Sequence, residues 1–466
     1  MKKIFLITSV LLVFLFSCQK NMEKETAQKE MPTVVIQARD HGHLQQTNTF
    51  SSEVVESWIT MQLNMLRVPL PAGTSAPTSE RCQAYCGIVL YEAVVPGMPA
   101  YQSLYGQLTN FPGMPSTEPG KAYHWAASAN AALAKMNREL FPGTSQANKD
   151  AMTHLEDSLQ AVYATEVDAA TLERSVAFGK EVATRIAAWA ATDGFFNVNP
   201  PYVPPPPTPA MPWLWVPTAT LPSPPNPPGT PAPAVNPYAY QRRLLVPGVA
   251  NGTALTPPPA YSPVAGSEFW NMAKDVYDKK NNATADQQAS AIYYRDAPGY
   301  PGGGHFISIL GQTIHKAKPM LDIAALAYVK VGIAQIDATI ICFTNKYNFN
   351  LVRPVTYIKQ NIDLGWSTLI PTPNHPEFPS AHATIGSAVT TMLTNVFGNN
   401  FQLTLHTYDY LGLAPRSYNS FEEMGIEMSN SRVYGGIHYQ LTCDKSRVQG
   451  TKVAQNILAT LHFLKE

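Results

Sequence analysis

Pro379-Ser380-Ala381-His382 stands at the centre of the stretch that decides the fold, with Lys346-(six residues)-Arg353-Pro354 before it and Ser431-Arg432-(five residues)-His438 after it. Three cationic side chains and two imidazoles therefore fall within residues 346–438, in sequence that is otherwise mostly apolar and helix-prone. Bringing Lys346, Arg353 and Arg432 together inside a protein costs several kcal/mol per unpaired ion. A dense oxyanion offsets that cost, because hydrogen bonds from Arg and Lys to phosphate-like oxygens are worth roughly 1.5–3 kcal/mol each. Ser380 adds a hydroxyl donor. Pro379 closes the preceding loop and a helix is expected over residues 381–397, so the free N–H groups of that helix start, Ala381 among them, face the same anion.

Outward from this stretch the chain reads as helices. Residues 50–67, 78–95, 124–140, 145–163 and 168–191 carry apolar side chains at helical spacing, and Phe141-Pro142-Gly143 is a clear stop. Residues 266–279 and 286–294 follow the same pattern, then a glycine-rich turn at 299–304, then helices over 420–430 and 445–464. Residues 319–344 are apolar enough for a membrane span, but Asp322, Lys330, Gln335 and Asp337 argue for a central bundle helix that delivers Lys346 at its end. Residues 196–263 differ: proline runs at 204–207 and 224–231 forbid helix, while Trp213, Trp215, Tyr238 and Tyr240 offer apolar anchors. The expectation is an ordered wrap over the helical body, beside an access route.

The expected organisation is residues 1–18 as signal and lipidation segment, 19–48 as tether, 49–195 as an N-terminal helical half, 196–263 as the wrap, and 264–466 as the half that carries the oxyanion motifs. Lys2-Lys3 and a short apolar run read as a secretory signal. Leu15-Phe16-Ser17-Cys18 then resembles a bacterial lipoprotein cleavage box, which implies a lipid on Cys18 and a chain exported and anchored to a membrane. An ordinary cleaved signal peptide is the other reading. With 33 basic and 33 acidic residues the formal net charge is zero, so no global field recruits nucleic acid or an anionic membrane. Any anion site is local. Cys82, Cys86, Cys342 and Cys443 have neither zinc-ligand nor disulfide spacing and read as small core residues.

The three central segments together resemble the vanadium-dependent haloperoxidase and type 2 phosphatidic acid phosphatase superfamily, whose pattern is Lys-x6-Arg-Pro, Pro-Ser-Gly-His and Ser-Arg-x5-His. The resemblance implies an all-α fold, a helical bundle of the acid phosphatase and vanadium haloperoxidase type, here with a long proline-rich surface excursion. It implies that a ring nitrogen of His438 binds the central atom, vanadium or phosphorus. Lys346, Arg353, Arg432, Ser380 and the Ala381 N–H would then hold the equatorial oxygens, and His382 would be the acid–base group. Asp296 is a candidate carboxylate partner of His382 or of an arginine. His375 takes a place where algal bromoperoxidases carry a histidine and fungal chloroperoxidase a phenylalanine, and Phe343 departs from the pattern at the place where family haloperoxidases carry Trp beside the halide. His305 reads as structural.

Departures from the pattern are Ala381 for Gly, which at φ > 0 costs about 1 kcal/mol, and Thr442, where phosphatase members carry an Asp that orients the histidine. Asp444 is the expected substitute. The leading expectation is a vanadate-dependent haloperoxidase that oxidises halide with hydrogen peroxide. The alternatives are a periplasmic phosphatase acting on a phosphoester through a phospho-histidine, which needs no cofactor, and a surface lipoprotein that keeps the pocket only to bind.

Overall fold

The computed structural model describes residues 45–218 and 233–465. The signal segment, Cys18, residues 19–44 and the proline run 224–231 lie outside the described residues. The chain is all-α. In chain order the helices are α1 (Glu53–Leu66), α2 (Ser79–Val94), α3 (Trp125–Leu140), α4 (Gln146–Tyr163), α5 (Ala169–Ala190), α6 (Glu268–Asn281) and α7 (Ala285–Tyr293). They continue as α8 (His305–Ala317), α9 (Leu321–Phe349), α10 (Pro354–Asn361), α11 (Ala381–Phe397), α12 (Phe421–Tyr434) and α13 (Gln440–Thr460). Among the described residues the sole sheet is an antiparallel pair, β1 (Leu403–Leu405) and β2 (Arg416–Tyr418), with Thr404 opposite Ser417.

Local chemistry sets the helix ends. Asp168 Oδ1 accepts the Thr171 N–H at 2.9 Å to start α5, Ser420 Oγ accepts the Glu423 N–H at 3.1 Å to start α12, and Thr284 with Gln287 forms a capping box on α7. Gly398 at φ 91° stops α11 where its position in the sequence required. Two helices were not foreseen. α10 begins on Pro354, whose missing N–H and fixed φ suit a first helical position, so the Arg-Pro of the motif also opens a helix. α8 follows directly on the glycine-rich turn and buries Phe306, Ile307, Ile309, Leu310 and Ile314 on one side.

Helix α9 is the axis of the molecule. Its 29 residues span about 43 Å at 1.5 Å per residue, and its most apolar window is long enough to cross a membrane yet wholly buried in the bundle. The α2–α9 contact is close because glycines face backbone across it: a Cβ on Gly87 would lie 2.6 Å from the Tyr328 carbonyl oxygen, and one on Gly332 would lie 2.5 Å from that of Gln83. Helix α2 is buried along its whole length, so its charges are paired inside. Arg81 Nε meets Asp193 Oδ2 at 2.7 Å, and the Glu92 carboxylate accepts from Ser103 Oγ and the Leu104 N–H, each at 2.7 Å. All four cysteines among the described residues are buried and free, as small core residues.

The described parts of the proline-rich segment are ordered and lie against the end of α9. The Trp215 N–H donates to the Asn350 carbonyl at 2.9 Å, the Val352 N–H to that of Trp213 at 2.8 Å, and the Val235 N–H to that of Asn374 at 3.0 Å. Trp215 is fully buried, whereas Tyr240 is 63% exposed and anchors nothing. Further along, both oxygens of Asp337 in mid-α9 accept backbone N–H groups, from Leu245 at 2.7 Å and Val246 at 3.0 Å.

Burial pushes the Asp337 carboxyl up to about 7, against the pull of those two N–H groups. An unfolded Asp titrates near about 3.9, so the folded chain holds one extra proton between those values and this contribution to stability falls as pH rises through the window. Asp337→Asn removes the slope. Urea unfolding from pH 4.5 to 7 should show the variant gaining on the wild type by up to about 1.4 kcal/mol per pH unit, while the slopes due to the similarly raised Glu92 and Glu377 persist in both. A constant difference across that range would contradict the assignment.

Candidate active site

Five elements deliver the polar groups. The last turn of α9 carries Lys346, the turn into α10 carries Arg353, the loop over residues 371–380 leads into α11 with His382, the last turn of α12 carries Arg432, and the short turn before α13 holds His438. Lys346 and Arg353 are fully buried, Arg432 and His438 are 2% exposed, and Ser380 is fully buried. The cations predicted from the motifs are therefore inside the protein and meet there.

Lys346 Nζ donates to the carbonyl oxygens of Pro376 at 3.0 Å, Glu377 at 3.1 Å and Pro379 at closer range, so the whole loop leading to Ser380 curls around one ammonium. Arg353 is tied at every nitrogen: Nε to the His375 carbonyl at 2.9 Å, Nη1 to the Ile437 carbonyl at 2.9 Å, and Nη2 to His375 Nδ1 at 2.9 Å and the Pro373 carbonyl at 3.3 Å. Nη1 also points at His438 Nε2, 3.2 Å away. Arg432 is held by Ser431 Oγ and the Ala291 carbonyl, each at 3.2 Å. Burial lowers all three cations: Lys346 to about 7, Arg353 to about 10 and Arg432 to about 10.

One carboxylate organises the histidine, and it is neither Asp444 nor a residue at 442. Asp444 accepts instead from Gln440 Nε2 at 3.0 Å. The partner is Glu377, fully buried, whose Oε1 lies 2.8 Å from His438 Nδ1 and accepts the Tyr439 N–H at 3.1 Å. Its Oε2 accepts from Thr442 Oγ1 at 2.9 Å, so the threonine at the position of the expected Asp supports the carboxylate that replaces it. Burial, followed by Arg353 and Lys346, holds His438 well below the ordinary histidine range, hence neutral. With the carboxylate on one nitrogen and a guanidinium on the other, the proton sits on Nδ1 and the lone pair on Nε2. Glu377 has a signal in the sequence: it is the single acid between Asp363 and Asp409, and it lies within the loop that precedes Ser380.

Ser380 caps α11, donating its backbone N–H to Ser446 Oγ at 2.8 Å and leaving its own buried Oγ without a partner. Ala381 is the first residue of α11 and is not among the positive-φ residues, so replacing glycine costs no backbone strain here. Helix α13 closes on this end of α11 because Gly450 admits it: a Cβ there would lie 1.9 Å from the Thr384 carbonyl oxygen.

His382 faces the other way. Its Nε2 lies 3.3 Å from Asp296 Oδ1, close enough for an ion pair but misaligned for a hydrogen bond. Burial and then Arg432 lower His382, while Asp296 raises it; the net direction is down. Asp296 is pushed up by burial but pulled further down by His382, His305 and Arg432, so it is an anion. His305, read from the sequence as structural, stacks on His382 with ring centroids 5.5 Å apart. The signal for it was present, a histidine opening an apolar helix nine residues after Asp296, but α8 itself was not foreseen.

His375 and Phe343 also reach the centre. His375 is 6% exposed, its Nδ1 accepts from Arg353, and its ring meets Phe343 edge-on at 5.1 Å. Phe343 in turn lies beneath Lys346 Nζ, 6.0 Å from the ring centroid. Of the candidate site residues only Cys18 lies outside the described chain.

Charge and donor geometry fit a tetrahedral oxyanion. Three buried basic groups and two carboxylates lie in this region, a buried serine hydroxyl has no partner, helix α11 opens at that serine, and the imidazole lone pair faces the Arg353 guanidinium.

The comparisons agree. A family model described as the second helical-bundle domain of VCPO matches residues 360–465. No curated protein sequence matches the chain. Among solved structures, a bacterial vanadium-dependent iodoperoxidase superposes with a TM-score of 0.78 at 28% identity, covering 90% of this chain and 98% of its own. The apo form of a bacterial vanadium-dependent chloroperoxidase gives 0.60 at 16% identity over 83% of this chain and 95% of its own. A holo form gives 0.58 at 16% over 91% and 95%; at these identities the chloroperoxidases speak to the fold alone. The matched domain, the order of the motifs and the superposition on the iodoperoxidase all agree with the resemblance to the vanadium-dependent haloperoxidase and type 2 phosphatidic acid phosphatase superfamily.

Proposed function

We propose that the protein is a vanadate-dependent haloperoxidase that oxidises a halide with hydrogen peroxide to a hypohalous species, with iodide the first halide to test. The observation that carries the proposal is the neutral His438 with its lone pair on Nε2, set by Glu377 and framed by three buried cations and an unpartnered Ser380 hydroxyl. The likeness in fold and sequence to a bacterial iodoperoxidase supports it. His438 Nε2 would bind the vanadium, and Lys346, Arg353, Arg432, Ser380 Oγ and the Ala381 N–H would hold the oxygens. When bound, vanadate supplies the Lewis-acid centre at which peroxide becomes an oxygen donor to halide.

The side chains divide the remaining work. Lys346 and Arg353 would neutralise negative charge from fixed positions, since the carbonyls of residues 373, 375, 376, 377, 379 and 437 hold them; those bonds take up their N–H groups, so a direct hydrogen bond to an oxyanion exchanges with one of these partners. His382, neutral and backed by the Asp296 carboxylate, can take a proton from peroxide and return it. His375 and Phe343 line the Lys346 side, where a halide would approach.

Peroxide-dependent iodination of a phenol dye, with and without vanadate, tests the proposal. His438→Ala should lower vanadate affinity by at least tenfold to a hundredfold and abolish turnover. His382→Ala should keep the affinity within a few-fold and lower kcat by about 10²–10⁴. Equal vanadate affinity in wild type and His438→Ala would sink the assignment. Release of phosphate from an aryl ester by the vanadate-free protein, with no halide oxidation, would select the phosphatase instead; neither activity would leave a binding protein.

Lys346 gives the binding a pH dependence. An anion recruits the ammonium form, and burial holds that group near about 7 in the free protein. Above that pH binding must take up a proton, so affinity falls by up to about tenfold per pH unit. Vanadate titrates itself, so the readout is the ratio of wild-type to Lys346→Met affinity. It should shrink as pH rises from 7 to 9, and a flat ratio would show that Lys346 contributes no charge.

Export and lipid anchoring through Cys18 rest on the sequence alone, and we propose them on that basis. Cys18→Ser should release the protein from the membrane fraction of the producing bacterium. Retention of the variant in that fraction would refute the anchor.

A further inference from the structure

Asp296, His305 and His382 form a second constellation beside the oxyanion centre. Their ligand atoms all lie within 4.8 Å of one another, and they come from three separate places: the loop after α7, the first residue of α8 and the start of α11. His305 is 2% exposed, yet neither of its ring nitrogens has a hydrogen-bond partner. Burying an imidazole with both nitrogens idle is costly, because each gives up hydrogen bonds to water and gains none inside. Asp296 Oδ1 and His382 Nε2 also lack aligned partners, and all these atoms converge on one small space.

We propose that Asp296, His305 and His382 form a binding site for a transition-metal dication such as Zn²⁺, and that occupying it withdraws His382 from catalysis. The donor set is two imidazole nitrogens and one carboxylate oxygen, which suits zinc or copper rather than magnesium or calcium, whose ligands are oxygens. Distances agree. Zinc bonds of about 2.0–2.2 Å at tetrahedral angles set neighbouring donors about 3.3 Å apart, and Asp296 Oδ1 and His382 Nε2 already stand at 3.3 Å. Turning the His305 ring toward them closes the third side. The fourth position is left to water.

Charge sorts the guests further. Arg432 acts on both Asp296 and His382, so a cation held by Coulomb attraction alone gains little from the single carboxylate here. A metal bound through nitrogen lone pairs does better. His305 offers one from a buried ring whose nitrogens have no hydrogen-bond partner. The same site takes His382 Nε2 and the Asp296 carboxylate that backs His382 in the proposed reaction, so metal and turnover exclude each other.

Cobalt(II) serves as a visible probe for zinc sites. Titrating Co²⁺ into the vanadate-free full chain should give ligand-field absorption that saturates at one equivalent, is erased by Zn²⁺ and is unaffected by Mg²⁺. His305→Ala should lose that absorption and bind one equivalent fewer, while histidines elsewhere in the chain contribute equally to both proteins and cancel. Asp296→Asn, which keeps the side-chain shape, should weaken Co²⁺ binding at least tenfold and gives an independent reading if His305→Ala melts early. Identical titrations for the wild type and a folded variant overturn the proposal, as does an absence of ligand-field absorption in the wild type. These readouts do not depend on the haloperoxidase assignment. Where that assignment holds, micromolar Zn²⁺ should also inhibit halide oxidation, and a chelator should restore it.

Discussion

Two guanidiniums that stay charged at neutral pH and one ammonium that burial brings to about 7, all inside one region of the protein, set the terms for the rest of the molecule. Each would cost several kcal/mol if left without partners, and the carboxylates within reach, Glu377 and Asp296, are too few to neutralise them. The chain compensates with dipoles. Carbonyl oxygens of residues 373, 375, 376, 377, 379 and 437 all turn inward onto Lys346 and Arg353. Main-chain acceptors satisfy the hydrogen-bonding capacity of the cations without cancelling their charge. The centre therefore stays electropositive and rigid before any anion arrives, which is the condition under which electrostatic stabilisation needs no reorganisation.

Such a centre requires a scaffold that does not yield. Helix α9 carries Lys346 on its final turn and is held on one side by α2, through the reciprocal close approach at Gly87 and Gly332, and on another by α11. The end of α11 that presents Ser380 and His382 is pinned by α13 at Gly450 and by Ser446 Oγ on the Ser380 N–H. The proline-rich segment adds a third restraint, with backbone hydrogen bonds at Asn350, Val352 and Asn374, the residues that flank Arg353 and His375. Its composition forbids helix. An extended chain with free backbone groups can serve the irregular loop where a helix could not.

Much of this was legible in the sequence, because its signals are local. Helical spacing gives elements, and glycine and proline give ends, which is why α11 was read to the residue and α2 to within one at either end. Helix α8 was hidden by Gly302-Gly303-Gly304 immediately before it, a run that reads as loop and masks the apolar face behind it. The motif cations were readable as a set because charges in apolar surroundings demand a common explanation. Their partners were not, since Glu377 and His305 join the site through contacts across 61 and 77 positions, to His438 and His382 respectively. Tyr240 erred in the other direction: an aromatic in a proline-rich run looks like an anchor, but its neighbours turn it to solvent.

Glu377 shows why an orienting carboxylate need not keep its place in the sequence. Its task is to accept a hydrogen bond from His438 Nδ1, and any element that passes within 3 Å of that nitrogen can supply the oxygen. Supplied from the loop before Ser380, it links three parts of the site: its side chain fixes the tautomer of His438, Thr442 steadies its second oxygen, and its own carbonyl accepts from Lys346. The position of the ammonium and the direction of the imidazole lone pair are thereby set by a single residue. A shift of this loop displaces both together, so the ammonium at the end of α9 and the imidazole in the turn before α13 keep their mutual geometry.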